Sequence, residues 1–321
     1  MFNRLIVVSF VFTLATLFCV CASDAVGSAA IKSCEGNVMI KAAGMDKWVP
    51  AKPGAVLNSG DAIQTKEGMA EVVYPDESVL KVKNDTSMTL SELKDGGTGQ
   101  LTRKIKIMVG DIWAKITPGT STRTEFETPT TVAAVKGTVV SFSVDANGVT
   151  QIMTQTGLVK LQIGESMSID LGGGKAVQVA VTENGASITG LQGTTTINLF
   201  NGTSIKLEPN VTVAGPLNKN NLQITTTAGT ATVTGRNGTK QDVRQGQKLV
   251  ISPNGTFGIP VTDTSMLRNS LLLNQVPQQN TTNSTTSLSG KDYAPSNNNN
   301  PYVNPAGGNM GDKKDISPSN P

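Results

Sequence analysis

The sequence predicts an all-β protein of stacked short strands, a β-solenoid or sandwich-like domain. Three observations point there. Thr, Asn, Gly, Val and Ser are abundant, which favours strands and turns over helices. Apolar and polar residues alternate with a period of two in run after run. Gly and Pro interrupt those runs at intervals of about ten residues, the rhythm of a sandwich, barrel or coiled stack. Apolar residues make up 37% of the chain and aromatics only 4%, so aliphatic side chains must fill the core.

Met1–Ala30 is expected to be a secretory leader. Arg4 supplies the charged start, Leu5–Val20 is apolar, and small residues cluster from Ala22 to Ala30. Cleavage after Ala22 and cleavage near Ala29 both fit, and because the apolar run is nearly long enough to span a bilayer, an uncleaved N-terminal anchor is the alternative.

Residues 31–183 form the expected main β domain. Its first part alternates at Val38 and Ile40, Leu80 and Val82, Met88 and Leu90, and Ile105, Ile107 and Val109. Gly60-Asp61 and Gly110-Asp111 are expected to be turns whose carboxylates cap backbone amides. The most informative stretch is Phe126–Leu161. Pro129 pushes Thr128 into an extended conformation. Gly137 is a candidate for positive φ or close backbone approach. Val140, Phe142 and Val144 then alternate with polar residues, and Asn147-Gly148 predicts a type I′ hairpin turn. Val159, Leu161 and Ile163 resume the alternation. Two more strands follow, around Met167–Leu171 and Val177–Val181, separated by Gly172–Gly174.

Residues 184–262 are a second β-rich segment and a candidate degenerate repeat. Ser204–Val213 echoes Val79–Leu90, Leu222–Thr225 echoes Phe126–Thr128, and Val243–Ile251 echoes Leu161–Ile169, at unequal intervals. Residues 263–276 are expected to form a short helix, capped by Asp263 or Thr264 and apolar at Met266, Leu267, Leu271 and Leu273. Residues 277–321 are rich in Asn, Gln, Thr, Ser and Pro and are expected to be a disordered tail.

Composition excludes much chemistry. There is no histidine, which removes Ser-His-Asp and Cys-His catalysis and His-ligated zinc. Cys19 and Cys21 lie in the leader, leaving Cys34, which alone makes neither an intramolecular disulfide nor a zinc site. A net charge of +3 gives no reason to expect nucleic-acid binding. No catalytic, cofactor-binding or metal-ligating residue is assigned. Glu125 and Glu127, on one face of a strand, are the one carboxylate pair considered for glycoside chemistry. Lys81, Lys83, Lys104 and Lys106 alternate with apolar residues and are expected to form a solvated strand face.

An ordered set of short elements resembles the FecR domain family. It comprises Gly36-Asn37-Val38, Trp48-Val49-Pro50, Gly60–Thr65, Gly68-Met69-Ala70, Tyr74–Ser78, Val109–Trp113, Phe126, Thr128-Pro129 and Val135–Thr138, with Lys136 where the family more often has Arg. The resemblance spans residues 34–165. It implies an exported, non-enzymatic binding, sensing or scaffold module of the bacterial envelope, periplasmic or at the cell surface, acting through strand edges or turns. The cytosolic anti-sigma segment of the best-known members is not expected here. The partner is expected to be an envelope protein or a polysaccharide, with membrane contact only through an uncleaved leader. A surface structural protein or adhesin subunit is the alternative.

Overall fold

The computed structural model describes residues 29–264, apart from 98, 120, 183–184, 217–218 and 220–221. Every named element is a strand, and 23 of them join in one hydrogen-bonded array. The all-β expectation holds, and the array bends into two sheets whose inner faces share one core.

Three long strands, β1 (Ala29–Lys41), β4 (Ala62–Val73) and β7 (Leu101–Lys115), run through both sheets. Short β2 (Val49–Pro50) and β3 (Val56–Leu57) cover parts of the outer edge of β1. In the front sheet β4 pairs with β5 (Val79–Val82), and β5 with the C-terminal half of β7. In the back sheet β6 (Ser87–Lys94) lies between the N-terminal halves of β4 and β7.

The bend in β7 is at Gly110. On one side Ile105 and Ile107 are buried, and on the other Ile112, Ala114 and Ile116. The inward parity shifts by one residue, as a bulge requires. Gly110-Asp111 is therefore a corner inside a strand and not the turn expected, and Val109 is left half-buried outside the core. Gly60-Asp61 behaves as expected. The Asp61 carboxylate accepts from the amides of Ala43 at 2.9 Å and Asn58 at 2.8 Å.

After β7 the chain lays hairpins on the two sheets in strict alternation. The back sheet takes β8 (Arg123–Glu127) with β9 (Val132–Val135), β12 (Leu158–Ile163) with β13 (Met167–Gly172), β16 (Thr195–Leu199) with β17 (Ser204–Leu207), and β20 (Thr230–Thr234) with β21 (Lys240–Arg244). The front sheet takes β10 (Val139–Val144) with β11 (Thr150–Thr156), β14 (Lys175–Thr182) with β15 (Gly185–Gln192), β18 (Thr212–Gly215) with β19 (Leu222–Ala228), and β22 (Gln247–Ile251) with β23 (Val261–Thr262). Each hairpin pairs with the preceding one of its own sheet.

This order is a repeat of 36 residues. Gly157, Gly193 and Gly229, each with positive φ, carry the chain from front to back. A Cβ at Gly157 would stand 2.6 Å from the carbonyl oxygen of Gly137, so the corner needs both the left-handed conformation and the missing side chain. Ile152, Ile188 and Ile224 form one buried column at the same interval, and Val177, Val213 and Leu249 another. The echoes expected at unequal intervals do not share this phase. The boundary expected at residue 184 falls between two strands that pair with each other, β14 and β15. Residues 185–262 thus extend the same two sheets.

Two local corrections follow. The Asn147-Gly148 turn is not type I′, because Gly148 has positive φ and Asn147 does not. Asp145 instead folds the loop by accepting from the amides of Asn147 and Val149, each at 2.8 Å. The leader drawn to residue 30 overlaps β1, since Ala29 pairs with Leu57 and is buried. The rest of the leader, the helix after Thr264 and the tail over 277–321 lie outside the described residues. Asp263, expected as a cap, accepts from the Thr225 hydroxyl at 2.9 Å.

Candidate functional site

Interior-facing side chains of the front sheet are apolar apart from buried threonines such as Thr150, Thr154 and Thr226, so any recognition it performs falls to the outer face. Cross-strand register places residues there in rows perpendicular to the strands. One row runs Glu71, Lys81, Trp113, Ser141, Met153 across β4, β5, β7, β10 and β11. The next runs Asp111, Ser143, Gln151, Gln178, Thr189, Thr212 across β7, β10, β11, β14, β15 and β18.

Two adjoining hollows lie on this face. The larger, about 700 Å³, is bounded by Ser33, Glu35, Met69, Glu71, Lys83 and Trp113. The smaller, about 210 Å³, lies over Asp111, Ser141, Ser143, Gln151 and Met153. Lys83 borders both. The Lys81 ammonium sits 5.3 Å from the Trp113 ring centroid, holding the indole on one side. On the other side Trp113 faces small Ser141. Met69, half exposed, also lines the larger hollow, which therefore mixes apolar with charged and hydroxyl groups. Cys34 borders the larger hollow but turns its thiol toward the carbonyl oxygen of Ala51, at 3.7 Å.

The outer face of the back sheet differs in kind. Parallel pairing of β7 with β8 sets Lys104 opposite Glu125 and Lys106 opposite Glu127, with N–O separations of 3.9 and 3.5 Å. Arg123 adds a 2.7 Å contact to Glu125. The carboxylate pair considered for glycoside chemistry is thus tied into ion pairs on a sheet face. Lys104 and Lys106 are the solvated strand face expected, with carboxylate partners the sequence did not reveal. Lys160–Asp170 and Lys206–Glu208 continue the pattern.

Inside the N-terminal half lies a charge cluster that the sequence reasoning missed. The Arg103 side chain is 3% exposed and donates to Asp76 at 3.1 Å and Glu92 at 3.2 Å. Its guanidinium carbon is 3.5 Å from the Tyr74 ring centroid. Burial pushes the Tyr74 phenol far above its ordinary range, and the Tyr74 hydroxyl has no hydrogen-bond partner among the described residues. Burial also raises the Glu92 carboxyl, against the lowering effect of Arg103. Arg103 shares the inward parity of Ile105 and Ile107, and that was the signal available: an arginine at a core position of an alternating strand. Among the described residues no group of His, Cys, Asp and Glu is arranged to hold a metal ion.

Residues 61–160 match the family model described as FecR protein. This stretch is a FecR domain. It runs from the start of β4 into β12 and holds the Arg103 cluster, Trp113 and the first half of the polar row. No curated protein matches the chain. Two crystal structures of a candidate anti-sigma factor from Parabacteroides distasonis ATCC 8503 are similar to 40% of this chain at 16% identity, with TM-scores of 0.34 and 0.33. The similarity covers 59% and 57% of those chains, so this protein spans less than two thirds of their length. The TCP10 domain of Danio rerio CPAP, solved with a peptide of Danio rerio STIL, aligns over 62% of this chain and 97% of its own at 13% identity, with a TM-score of 0.11.

Proposed function

We propose that this protein is an exported, non-enzymatic binding module of the bacterial envelope, in which the FecR domain and its C-terminal extension present the outer face of the front sheet to a partner. The observation that carries this is the hollow at Trp113. An indole flanked by the Lys81 ammonium borders a hollow lined by hydroxyl, carboxylate and ammonium groups, and the adjoining hollow adds the Gln151 amide, a mixture common in recognition surfaces. The apolar leader sequence supports export, and the absence of histidine supports a non-catalytic role.

Strand addition is a weaker mechanism for this chain than the edges in its sequence suggested. β7, β10, β11, β14 and β15 each have a paired neighbour on both sides. The last strand of the back sheet, β21, pairs only with β20 among the described residues, and it carries Lys240, Asp242 and Arg244. Charges on an end strand oppose edge-to-edge assembly, which also counts against a polymerising structural subunit.

The test is crosslinking of the tagged protein in cells, followed by fractionation and recovery from the envelope. The reading expects envelope recovery of a specific partner, reduced at least tenfold by Trp113→Ala and unchanged by Lys160→Ala on the back face. Recovery from the cytosol with Met1 retained, or partner capture indifferent to Trp113, would overturn it.

A further inference from the structure

We infer that the front face takes an extended polysaccharide chain, laid across the strands along the row from Asp111 to Thr212. This rests on the binding-module reading above and names the chemical class of its ligand.

The row places one polar side chain on each of six consecutive strands: Asp111, Ser143, Gln151, Gln178, Thr189 and Thr212. Neighbouring strands lie about 4.8 Å apart, so the track is about 24 Å long with a hydrogen-bonding group at each step. An extended β-linked glycan advances by nearly one strand spacing per sugar, so successive rings meet successive side chains in register. Five of the six side chains are neutral amides or hydroxyls that both donate and accept, as sugar hydroxyls and N-acyl groups require. Two contacts already order the track: Gln151 donates to Gln178 at 3.2 Å, and the Thr189 and Thr212 hydroxyls are 2.9 Å apart. Pre-ordered side chains lose less entropy on binding.

Trp113 stands one row away, about 7 Å along the strand, with small Ser141 beside it. An indole wall next to a hydroxyl and amide track suits a sugar ring, which has an apolar C–H face and a polar rim. The opposite sheet makes the contrast. Much of its outer face is taken up by Lys–Glu and Lys–Asp pairs, which offer little to a neutral ligand. A peptide is less well served by the front face, because these inner strands have no free backbone groups to pair with it.

The test uses the leaderless protein with chitobiose and chitohexaose in calorimetry, and with purified peptidoglycan sacculi in pelleting assays. Chitohexaose is expected to bind at least tenfold more tightly than chitobiose. Trp113→Ala should weaken both at least tenfold. Gln178→Ala and Thr189→Ala should weaken the hexamer severalfold and leave the dimer unchanged. Lys160→Ala should change nothing, and added salt should have little effect. Circular dichroism checks the fold of each variant. No binding of chitohexaose or sacculi at millimolar concentration, or affinity indifferent to chain length and to Gln178 and Thr189, overturns the proposal. If a protein partner is then still lost with Trp113→Ala, the module reading survives without its glycan. If nothing depends on Trp113, both fall.

Discussion

Phe126 of β8 and Phe142 of β10 stack with ring centroids 4.6 Å apart and planes inclined by 25°. One ring belongs to the back sheet and the other to the front, so the pair ties the two sheets just after they separate at β7. Both rings are essentially inaccessible to solvent. In a core that is otherwise almost wholly aliphatic, this is the one ring stack among the described residues. Phe142→Ala should cost about 3–5 kcal/mol, whereas Phe142→Leu should cost well under half as much. Urea unfolding followed by circular dichroism checks both. Equal costs for the two variants would show that ring volume is not what holds the sheets together.

The Arg103 cluster buries two carboxylates against one guanidinium. Removing the cation leaves both acids uncompensated, so Arg103→Met should destabilise by about 3–5 kcal/mol. A loss below about 1 kcal/mol in urea unfolding would mean that water reaches the site and screens it.

Glu92 gives the same cluster a pH dependence. Its carboxyl is raised in the folded chain, chiefly by burial. A group with a raised folded value stabilises fully below its unfolded value, and that contribution is lost as pH rises through the folded value. Glu92→Gln keeps an acceptor for Arg103 and removes the titration, while Asp76 still balances the cation. The variant should therefore gain stability relative to the natural chain as pH rises from acidic to neutral. Urea midpoints across that range provide the measurement, and a relative loss would contradict the assignment.

The corner glycines separate two costs. Gly157 has φ +84° and no room for a Cβ, whereas Gly174 has φ +76° and nothing within 4 Å of one. Gly174→Ala should cost the left-handed penalty alone, about 1–2 kcal/mol. Gly157→Ala should cost more, because the backbone at Gly137 must also move. Thermal unfolding of the two variants tests the order.

Ala29 is buried and already paired in β1. Of the two cleavage positions compatible with the leader, the one after Ala22 preserves that pairing. If the chain is exported as proposed, mass spectrometry of the mature protein should find Ser23 as its first residue, and a start beyond Ala30 would contradict the role of β1.

The strand content was legible because alternation is a local property. Val140, Phe142 and Val144, or Val159, Leu161 and Ile163, announce their inward face within six residues, and all are buried. The FecR elements were legible as an ordered set of short motifs, and residues 61–160 match the family model. The 36-residue repeat was also written in the chain, at Gly157, Gly193 and Gly229. It was obscured because its columns exchange Val159 for Thr195 and Ala231, so residue similarity between Thr- and Val-rich strands pointed to other intervals.

What the chain alone determined is which side of each strand faces inward, because a period of two divides apolar from polar side chains without reference to any partner strand. The bend at Gly110, the ion pairs of Glu125 and Glu127, and the row from Asp111 to Thr212 were settled only by tertiary structure. Each depends on register between strands 8 to 30 or more residues apart, and register is set by how two sheets close over one core. A shift of one residue in any of those pairings would leave every local pattern intact and dissolve the front face.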